Sequence, residues 1–256
     1  MINRRKFVAT ALLATPFAVA GYGRCWEPTW LKVQNVRLGR GKTGVRLAQF
    51  SDLHHKGNRA YLRDVVKTLN SLGPDLCCFT GDLVEDTRYL PETLDILSEI
   101  RTPVYGVPGN HDYWSGADFG RIKGCLTATG GDWLLDEQRV VARGQITLTG
   151  AAGIYFRAIP APRADGTLNL LLVHYPSWAK NLGDRSYDLI LAGHSHGGQV
   201  QIPFIGAPIL PDNVDEYAKG RYQSPGGTLY VNPGIGYIAD YNFRFNCRPE
   251  ITVFEV

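Results

Sequence analysis

Five short apolar runs of this chain each lead into a cluster of histidine, aspartate or asparagine. The clusters read SDLHH (residues 51–55), TGDLVED (80–86), PGNHDYW (108–114), VHYP (173–176) and AGHSHGG (192–198). A single cluster of this kind is explained by a turn in which Asp or Asn bonds the local backbone. Five of them, without a cysteine, supply carboxylate, amide and imidazole groups, which suit hard to borderline divalent cations. The pattern therefore predicts one shared metal site.

The apolar runs predict the β-strands that position these clusters. Predicted strands cover 43–50, 75–80, 103–108, 145–152, 168–174, 188–193, 228–232 and 250–256, with helices over 60–72 and 94–100. Several runs are apolar without alternation, as buried central strands are. Strands alternating with helices favour an α/β sandwich of packed sheets, in which loops at the carboxyl ends of strands carry the functional groups.

Glycines precede the chemical residues in three of the clusters. Gly81, Gly109 and Gly193 are expected to let the backbone turn sharply, so that the next side chain points into a shared cavity. Alternation along an extended segment would then send His194 and His196 toward different cations.

In chain order, the clusters form a recognisable set. They contain Asp52-Leu53-His54, Gly81-Asp82-Leu83-Val84-Glu85, Gly109-Asn110-His111-Asp112, His174 and Gly193-His194-Ser195-His196. This set resembles the ordered signature of the calcineurin-like metallophosphoesterases, D-x-H, G-D-x-x-D/E, G-N-H-D/E, H and G-H-x-H. The resemblance implies a four-layer α/β/β/α sandwich, which we expect as one domain over residues 30–256.

The resemblance also implies a site with two divalent metal ions. One ion would be held by Asp52, His54, Asp82 and His196, and the other by Asp82, Asn110, His174 and His194, with Asp82 as the bridge. Manganese is expected from the resemblance, while zinc or iron would also fit such ligands. His111 is expected to be catalytic, with Asp112 orienting its ring. His55 is expected to be a solvated loop residue, with a substrate contact as the alternative.

The reaction implied is hydrolysis of a phosphoester by metal-bound hydroxide. Glu85-Asp86-Thr87 and Asp112 depart from the D-R-G and G-N-H-E of the protein phosphatases in this superfamily. The chain looks like the exported or membrane-associated branch, which includes envelope phosphodiesterases and UDP-diacylglucosamine hydrolases. We expect a phosphodiesterase or pyrophosphohydrolase acting on a lipid-linked phosphoester or a phospholipid. The alternatives are a broad-specificity phosphomonoesterase and a non-catalytic scaffold.

An apolar segment, QIPFIGAPILP (residues 201–211), follows the last cluster. Its side chains would either pack under the edge of a sheet or form a rim that receives an acyl chain or touches a membrane. Tyr113 and Trp114 would either form a wall of the site or stack on a substrate.

The first twenty residues have the parts of an export signal: Arg4, Arg5 and Lys6, an apolar stretch over 7–20 and small residues before a cut after Ala20. The paired arginines are similar to a twin-arginine signal. This resemblance implies export by the twin-arginine machinery and a location in the periplasm or cell envelope. The alternative is that residues 1–20 remain as an anchor at the membrane. Export would conflict with a nucleotide-linked lipid made on the cytoplasmic face, and the sequence leaves that conflict open.

Charge and cysteine usage narrow the functional classes. The net charge of +3 comes from the three amino-terminal cations, since the other 24 basic residues equal the 24 acidic ones. Composition therefore gives no support to a nucleic-acid partner. The five cysteines show no paired spacing, and we interpret them as structural.

Overall fold

The computed structural model describes residues 3–38, 43–156, 159–238 and 242–256. Two six-stranded sheets dominate these ranges. Their strands in chain order are β1 Lys32–Arg37, β2 Arg46–Phe50, β3 Leu76–Phe79, β4 Val104–Gly106, β5 Asp132–Trp133, β6 Gln138–Val141, β7 Ile146–Gly150, β8 Leu168–Leu172, β9 Tyr187–Ala192, β10 Gly220–Ser224, β11 Gly227–Val231 and β12 Glu250–Glu255.

The central strands of both sheets are parallel. The first sheet has the order β1-β12-β2-β3-β4-β5, with β2 to β5 parallel and β12 antiparallel to β2. The second has the order β10-β11-β9-β8-β7-β6, with β10 and β6 antiparallel to their neighbours. Leu47 of β2 lies opposite Leu76 of β3, and Leu170 of β8 opposite Leu189 of β9. This register brings the carboxyl ends of neighbouring strands to one edge.

The α-helices of the described residues are α1 Arg4–Cys25, α2 Arg59–Leu72, α3 Leu90–Leu97, α4 Asn110–Trp114 and α5 Phe119–Ala128. Of these, α2, α3 and α5 cover the first sheet. Asn58 caps α2 by accepting a hydrogen bond from the Tyr61 backbone, and Gly73 ends it with a φ of 55°. α3 begins four residues before the predicted position, because Pro91 fits the first turn of a helix.

Two apolar layers enclose the sheets. Leu47 and Cys78 of the first sheet pack against Leu148, Leu170 and Leu191 of the second. The predicted α/β sandwich of two packed sheets is therefore confirmed. Its outer layers differ, because the far face of the second sheet is covered by a 3-10 helix, Pro176–Lys180, and by loops.

The amino-terminal segment joins this body from Tyr22 onward. Arg244 donates its backbone N–H to Gly23 O, and the fully buried Glu27 accepts hydrogen bonds from the backbones of Asn246 and Cys247. Residues 13–20 of α1 are almost all exposed. Among the residues that the structure describes, no helix is long and apolar enough to cross a membrane.

Replacing Glu27 with Ala should destabilise the fold by about 2–3 kcal/mol, because two backbone N–H groups lose their acceptor. Chemical denaturation should show this loss. Glu99→Ala is the matched control, since the Glu99 side chain is exposed and forms a long ion pair of 3.6 Å with Arg63, while its backbone bond to Asn70 survives the substitution. Equal stability of both variants would contradict the structural role of Glu27.

Candidate metal centre

The first group of polar side chains follows β2 and β9. His54 Nε2 lies 3.1 Å from His196 Nε2, and His196 Nε2 lies 3.5 Å from Asp52 Oδ1. All three side chains are buried. Asp52, His54 and His196 thus offer one oxygen and two nitrogens to a common point. We name this group the first cluster.

The second group follows β4, β8 and β9. His174 Nε2 lies 2.9 Å from Asn110 Oδ1 and 3.1 Å from His194 Nδ1. These side chains are also buried. Asn110, His174 and His194 form what we name the second cluster. Each histidine of the segment after β9 therefore belongs to a different cluster.

Asp82, which follows β3, lies between the clusters. Its Oδ2 is 3.3 Å from His54 Nε2 and 3.3 Å from His174 Nε2. Its Oδ1 accepts a hydrogen bond of 2.8 Å from the backbone of His111. One carboxylate oxygen is thus shared by the two groups.

The outer nitrogens of the imidazoles fix the ring orientations. His174 Nδ1 lies 2.8 Å from Thr80 O, and His194 Nε2 lies 2.8 Å from Asp212 O. Such contacts hold the other ring nitrogen toward a metal in known sites. For His54, Glu85 Oε1 lies 3.0 Å from Nδ1, off the line of the ring N–H. Sequence reasoning noted Glu85 but gave it no role.

In each facing pair of imidazoles, the pKa of one ring is raised and the pKa of the other is lowered. Burial opposes protonation of His54, but Asp82 and Glu85 raise its pKa to about 10, whereas burial and His54 lower the pKa of His196. Burial also opposes protonation of His174, but Asp82 raises its pKa to about 9. Burial and His174 lower the pKa of His194 to about 3. Two nitrogens 3.1 Å apart share at most one proton.

These residues fit two divalent cations. Each cluster aims buried nitrogen and oxygen atoms at one point, and the donor types are those that Mn²⁺, Zn²⁺ and Fe accept. Without a cation, the proton shared by each imidazole pair supplies positive charge beside the buried carboxylates of Asp52 and Asp82. A bound cation would supply that charge instead.

The backbone at this site adopts conformations that ordinary residues avoid. Positive φ angles occur at Asp52 (52°), His54 (39°), Asp82 (64°), His194 (67°) and His196 (47°). Each costs about 1–2 kcal/mol in an L-residue, and such strain concentrates at functional sites. The backbone at His194 and His196 is therefore left-handed and not extended. The prediction that alternation along an extended segment separates the two side chains is wrong.

The three glycines act in two ways. Gly81 has a φ of 97°, which agrees with the predicted sharp turn. Gly109 and Gly193 have no positive φ, and they are needed for close approach instead. A Cβ at Gly109 would lie 2.1 Å from Asp82 Oδ1, and one at Gly193 would lie 2.0 Å from Ser51 Oγ.

Asp112 lies beneath the site rather than against the His111 ring. Its carboxylate accepts backbone hydrogen bonds from Asp82, Leu83 and Gly109 at 2.8–2.9 Å. Both oxygens are thereby used to join the loop after β3 to the loop after β4. The structure corrects the expected contact with His111, because Asp112 is the third residue of a short helix and faces that helix's first N–H groups.

His111 borders the first cluster at the solvent side. Its ring meets that of His54 edge-on at 4.7 Å and that of Trp114 at 5.1 Å. Burial lowers the pKa of His111, which favours the neutral ring. A neutral imidazole keeps one N–H that can donate to an oxygen of a substrate.

The structure also decides the expectations for two neighbouring features, His55 and the segment 201–211. His55 is buried, with Nε2 2.7 Å from Glu92 Oε1, so its predicted solvated position is wrong. In the segment 201–211, Phe204 is fully exposed and Ile205 and Ile209 are 75% and 78% exposed, so these side chains do not pack under a sheet edge.

The fold and site correspond to those of a known family. Residues 45–198 match the family described as calcineurin-like phosphoesterase, so the chain belongs to that family and to the phosphoester hydrolases. The resemblance noted in the sequence is thereby confirmed.

Several relatives align along almost the whole chain. The uncharacterized metallophosphoesterase YkuE of Bacillus subtilis (strain 168) is 31% identical, over 91% of this chain and 88% of its own. The phosphodiesterase YaeI of Escherichia coli (strain K12) is 30% identical over 100% of both chains. The UDP-2,3-diacylglucosamine pyrophosphatase LpxG of Chlamydia trachomatis is 25% identical over 94% of each.

Titration with divalent cations followed by elemental analysis should find two metal ions per chain. His54→Ala should weaken binding of one ion by more than the 10–100-fold typical of outer contacts. Its neighbour offers a matched control, because His55 lies outside both clusters and His55→Ala should keep both ions. Equal loss in the two variants would contradict the assignment of His54.

Proposed function

We propose that the chain hydrolyses phosphodiester or pyrophosphate bonds at a centre of two divalent cations, with manganese as the native metal. The position of Asp82 carries this proposal, because its Oδ2 is equally close to one imidazole of each cluster. When bound, the two cations would activate a water molecule as the nucleophile and neutralise the phosphoryl oxygens.

The protein residues have separate tasks in this reaction. One cation would be held by Asp52, His54, Asp82 and His196, and the other by Asp82, Asn110, His174 and His194. Asp112 is a positioning residue, since its hydrogen bonds hold Asp82 and Gly109.

His111 is the proposed catalytic histidine. Its partly exposed ring lies beside His54, where the departing oxygen of a bound phosphoester would emerge. A hydrogen bond from its N–H to that oxygen would stabilise the negative charge that develops as the bond breaks. The proton that the departing alcohol or phosphate needs would then come from solvent.

The proposed substrate is a lipid-linked phosphoester of the cell envelope, such as a UDP-diacylglucosamine-like molecule or a phospholipid. The relatives YaeI and LpxG, described as a phosphodiesterase and a UDP-2,3-diacylglucosamine pyrophosphatase, support this class. The exposed apolar side chains of residues 202–209 support it independently, since they follow the ligand segment after β9.

The proposed location is the periplasm or cell envelope, after export by a twin-arginine route and a cut behind Ala20. Support comes from the position of the fold's first contacts, because Tyr22, Gly23 and Glu27 contact the body, whereas residues 13–20 are almost all exposed. A cut at residue 20 would leave every one of these contacts intact.

His111→Ala should lower kcat for bis(p-nitrophenyl) phosphate by about 10²–10³-fold, the contribution usual for a hydrogen-bond donor to a developing oxyanion. Its metal content should stay at two ions per chain. Ser115→Ala, one helical turn away, serves as the control and should be as active as the parent.

The same assay separates the reaction classes. The parent should hydrolyse the diester faster than p-nitrophenyl phosphate, and the reverse preference would favour the phosphomonoesterase alternative. A His111→Ala variant as fast as the parent would defeat the assigned role.

Mass spectrometry of the chain recovered from the cell envelope should give an amino terminus at Gly21. Replacing Arg4 and Arg5 together with Lys should leave the uncut chain in the cytoplasm. A mature chain that keeps Met1 and residues 2–20 would instead favour the anchor.

A further inference from the structure

The segment 199–212 forms a loop whose two ends are fixed to the metal centre. It begins next to His196, where Gln201 Nε2 donates to Gly197 O at 2.6 Å. It ends at Asp212, whose carbonyl lies 2.8 Å from His194 Nε2. A molecule that touches this loop therefore lies beside both clusters.

The middle of the loop projects apolar side chains into solvent. Paired backbone hydrogen bonds of 2.9 Å between Ile202 and Gly206 close a tight turn at Phe204, which has a φ of 68°. No charged residue occurs between positions 199 and 211. We name the exposed side chains of Ile202, Phe204, Ile205 and Ile209 the apolar tip.

A positively charged cleft adjoins the base of this loop. Its cations are Lys32, Lys219, Arg221 and Arg248, and we name it the basic cleft. Its two acids are already engaged: Glu27 accepts from the backbones of Asn246 and Cys247, and Glu250 contacts Tyr230 and Lys32. Within the described residues, Lys219, Arg221 and Arg248 have no ion-pair partner, so the cleft keeps a positive charge.

Asn246 connects the two features. Its Nδ2 donates to Gln201 O at 3.3 Å, next to the apolar tip, and its carbonyl accepts from Lys219 Nζ at 3.2 Å. Trp30 lies at the same side, with the Arg248 guanidinium 3.8 Å above its ring. Exposed tryptophan beside cations and apolar side chains is typical of surfaces that contact lipid headgroups.

We propose that the apolar tip and the basic cleft form one surface that binds the face of an anionic lipid bilayer. The apolar side chains enter the acyl boundary, while the cations meet the anionic headgroups. Charge complementarity identifies this occupant, because a neutral apolar partner would leave three unpaired cations facing it. This surface deepens the proposed function, and only the identity of the substrate rests on that function. A docked chain would hold its metal centre at the depth of the lipid phosphates.

Vesicle sedimentation tests the surface without any hydrolysis. The full chain, in the same processed form for every variant, is mixed with vesicles of phosphatidylethanolamine and phosphatidylglycerol, or of phosphatidylcholine alone. The triple variant Phe204→Ser, Ile205→Ser, Ile209→Ser should bind both vesicle types at least about tenfold more weakly than the parent. The pair Lys219→Gln, Arg221→Gln should lose binding only to the anionic vesicles, and high salt should reproduce that loss.

Matched controls come from the far edge of the second sheet. Val140 is an exposed apolar side chain of β6, and Val140→Ser with Arg143→Gln should bind as the parent does. Activity on a soluble diester should be unchanged in all variants, so a failed phosphodiesterase assay would count against the proposed function and not against the surface.

Two results would overturn the inference. One is equal vesicle binding by the parent and the apolar-tip variant. The other is a parent dimer, seen by light scattering, that the apolar-tip variant converts to a monomer without any change in vesicle binding. The second result would assign the apolar tip to self-association.

Discussion

The buried carboxylate of Asp82 is the interaction on which the remaining site depends. It belongs to the first sheet, yet it contacts His174, which follows a strand of the second sheet. A carboxylate without water or a partner would be strongly disfavoured at this depth. Imidazole nitrogens from both sheets and the backbone of His111 surround it. The edges of two sheets must therefore meet in a fixed geometry for this one charge to be tolerated.

That geometry is costly for the backbone, and hydrogen bonds offset the cost. Asp82 and Asp52 both have left-handed φ angles, which the backbone would leave if it were free. Asp112 holds the backbone at Asp82 in this conformation, since its carboxylate accepts hydrogen bonds from the backbone N–H groups of Asp82, Leu83 and Gly109. At Asp52, the carboxylate accepts from the His194 backbone, and its carbonyl accepts from Gly236. The strained residues are thus held by bonds that cross between distant loops.

The sequence predicted the parts of the fold that burial dictates. All eight predicted strands occur, because each is an apolar run in the interior of a sheet. The four missed strands lie at edges: β1, β6 and β10 carry polar residues such as Gln34, Gln138 and Gln223, and β5 has only two residues. Edge strands bury little surface, so their composition gives a weak periodic signal.

For the site, residue types were predictable and partners were not. The burial of His55 depends on Glu92, which is 37 positions away and carries no local signal. Asp112 directly follows His111, so an interaction between them was the natural expectation, but the turn of α4 directs its carboxylate to the loop after β3. The exposure of Phe204 was equally open, because prolines and apolar residues suit both a buried edge and a projecting loop. These outcomes depend on three-dimensional neighbours.

Arg244 shows how the surroundings favour the neutral form of His196, one of the proposed metal ligands. Its fully buried guanidinium donates to the carbonyls of Pro233, Gly236 and Cys247, and it has no carboxylate partner within the described ranges. Its positive charge therefore persists close to His196, whose pKa is lowered by burial, by His54 and by Arg244. A metal ligand must be the neutral imidazole, so a fixed cation here disfavours the competing protonated form. The backbone N–H of the same residue donates to Gly23 O at the end of α1, so Arg244 connects the amino-terminal segment to the loop behind Asp52 and sets its charge near the ligand segment after β9.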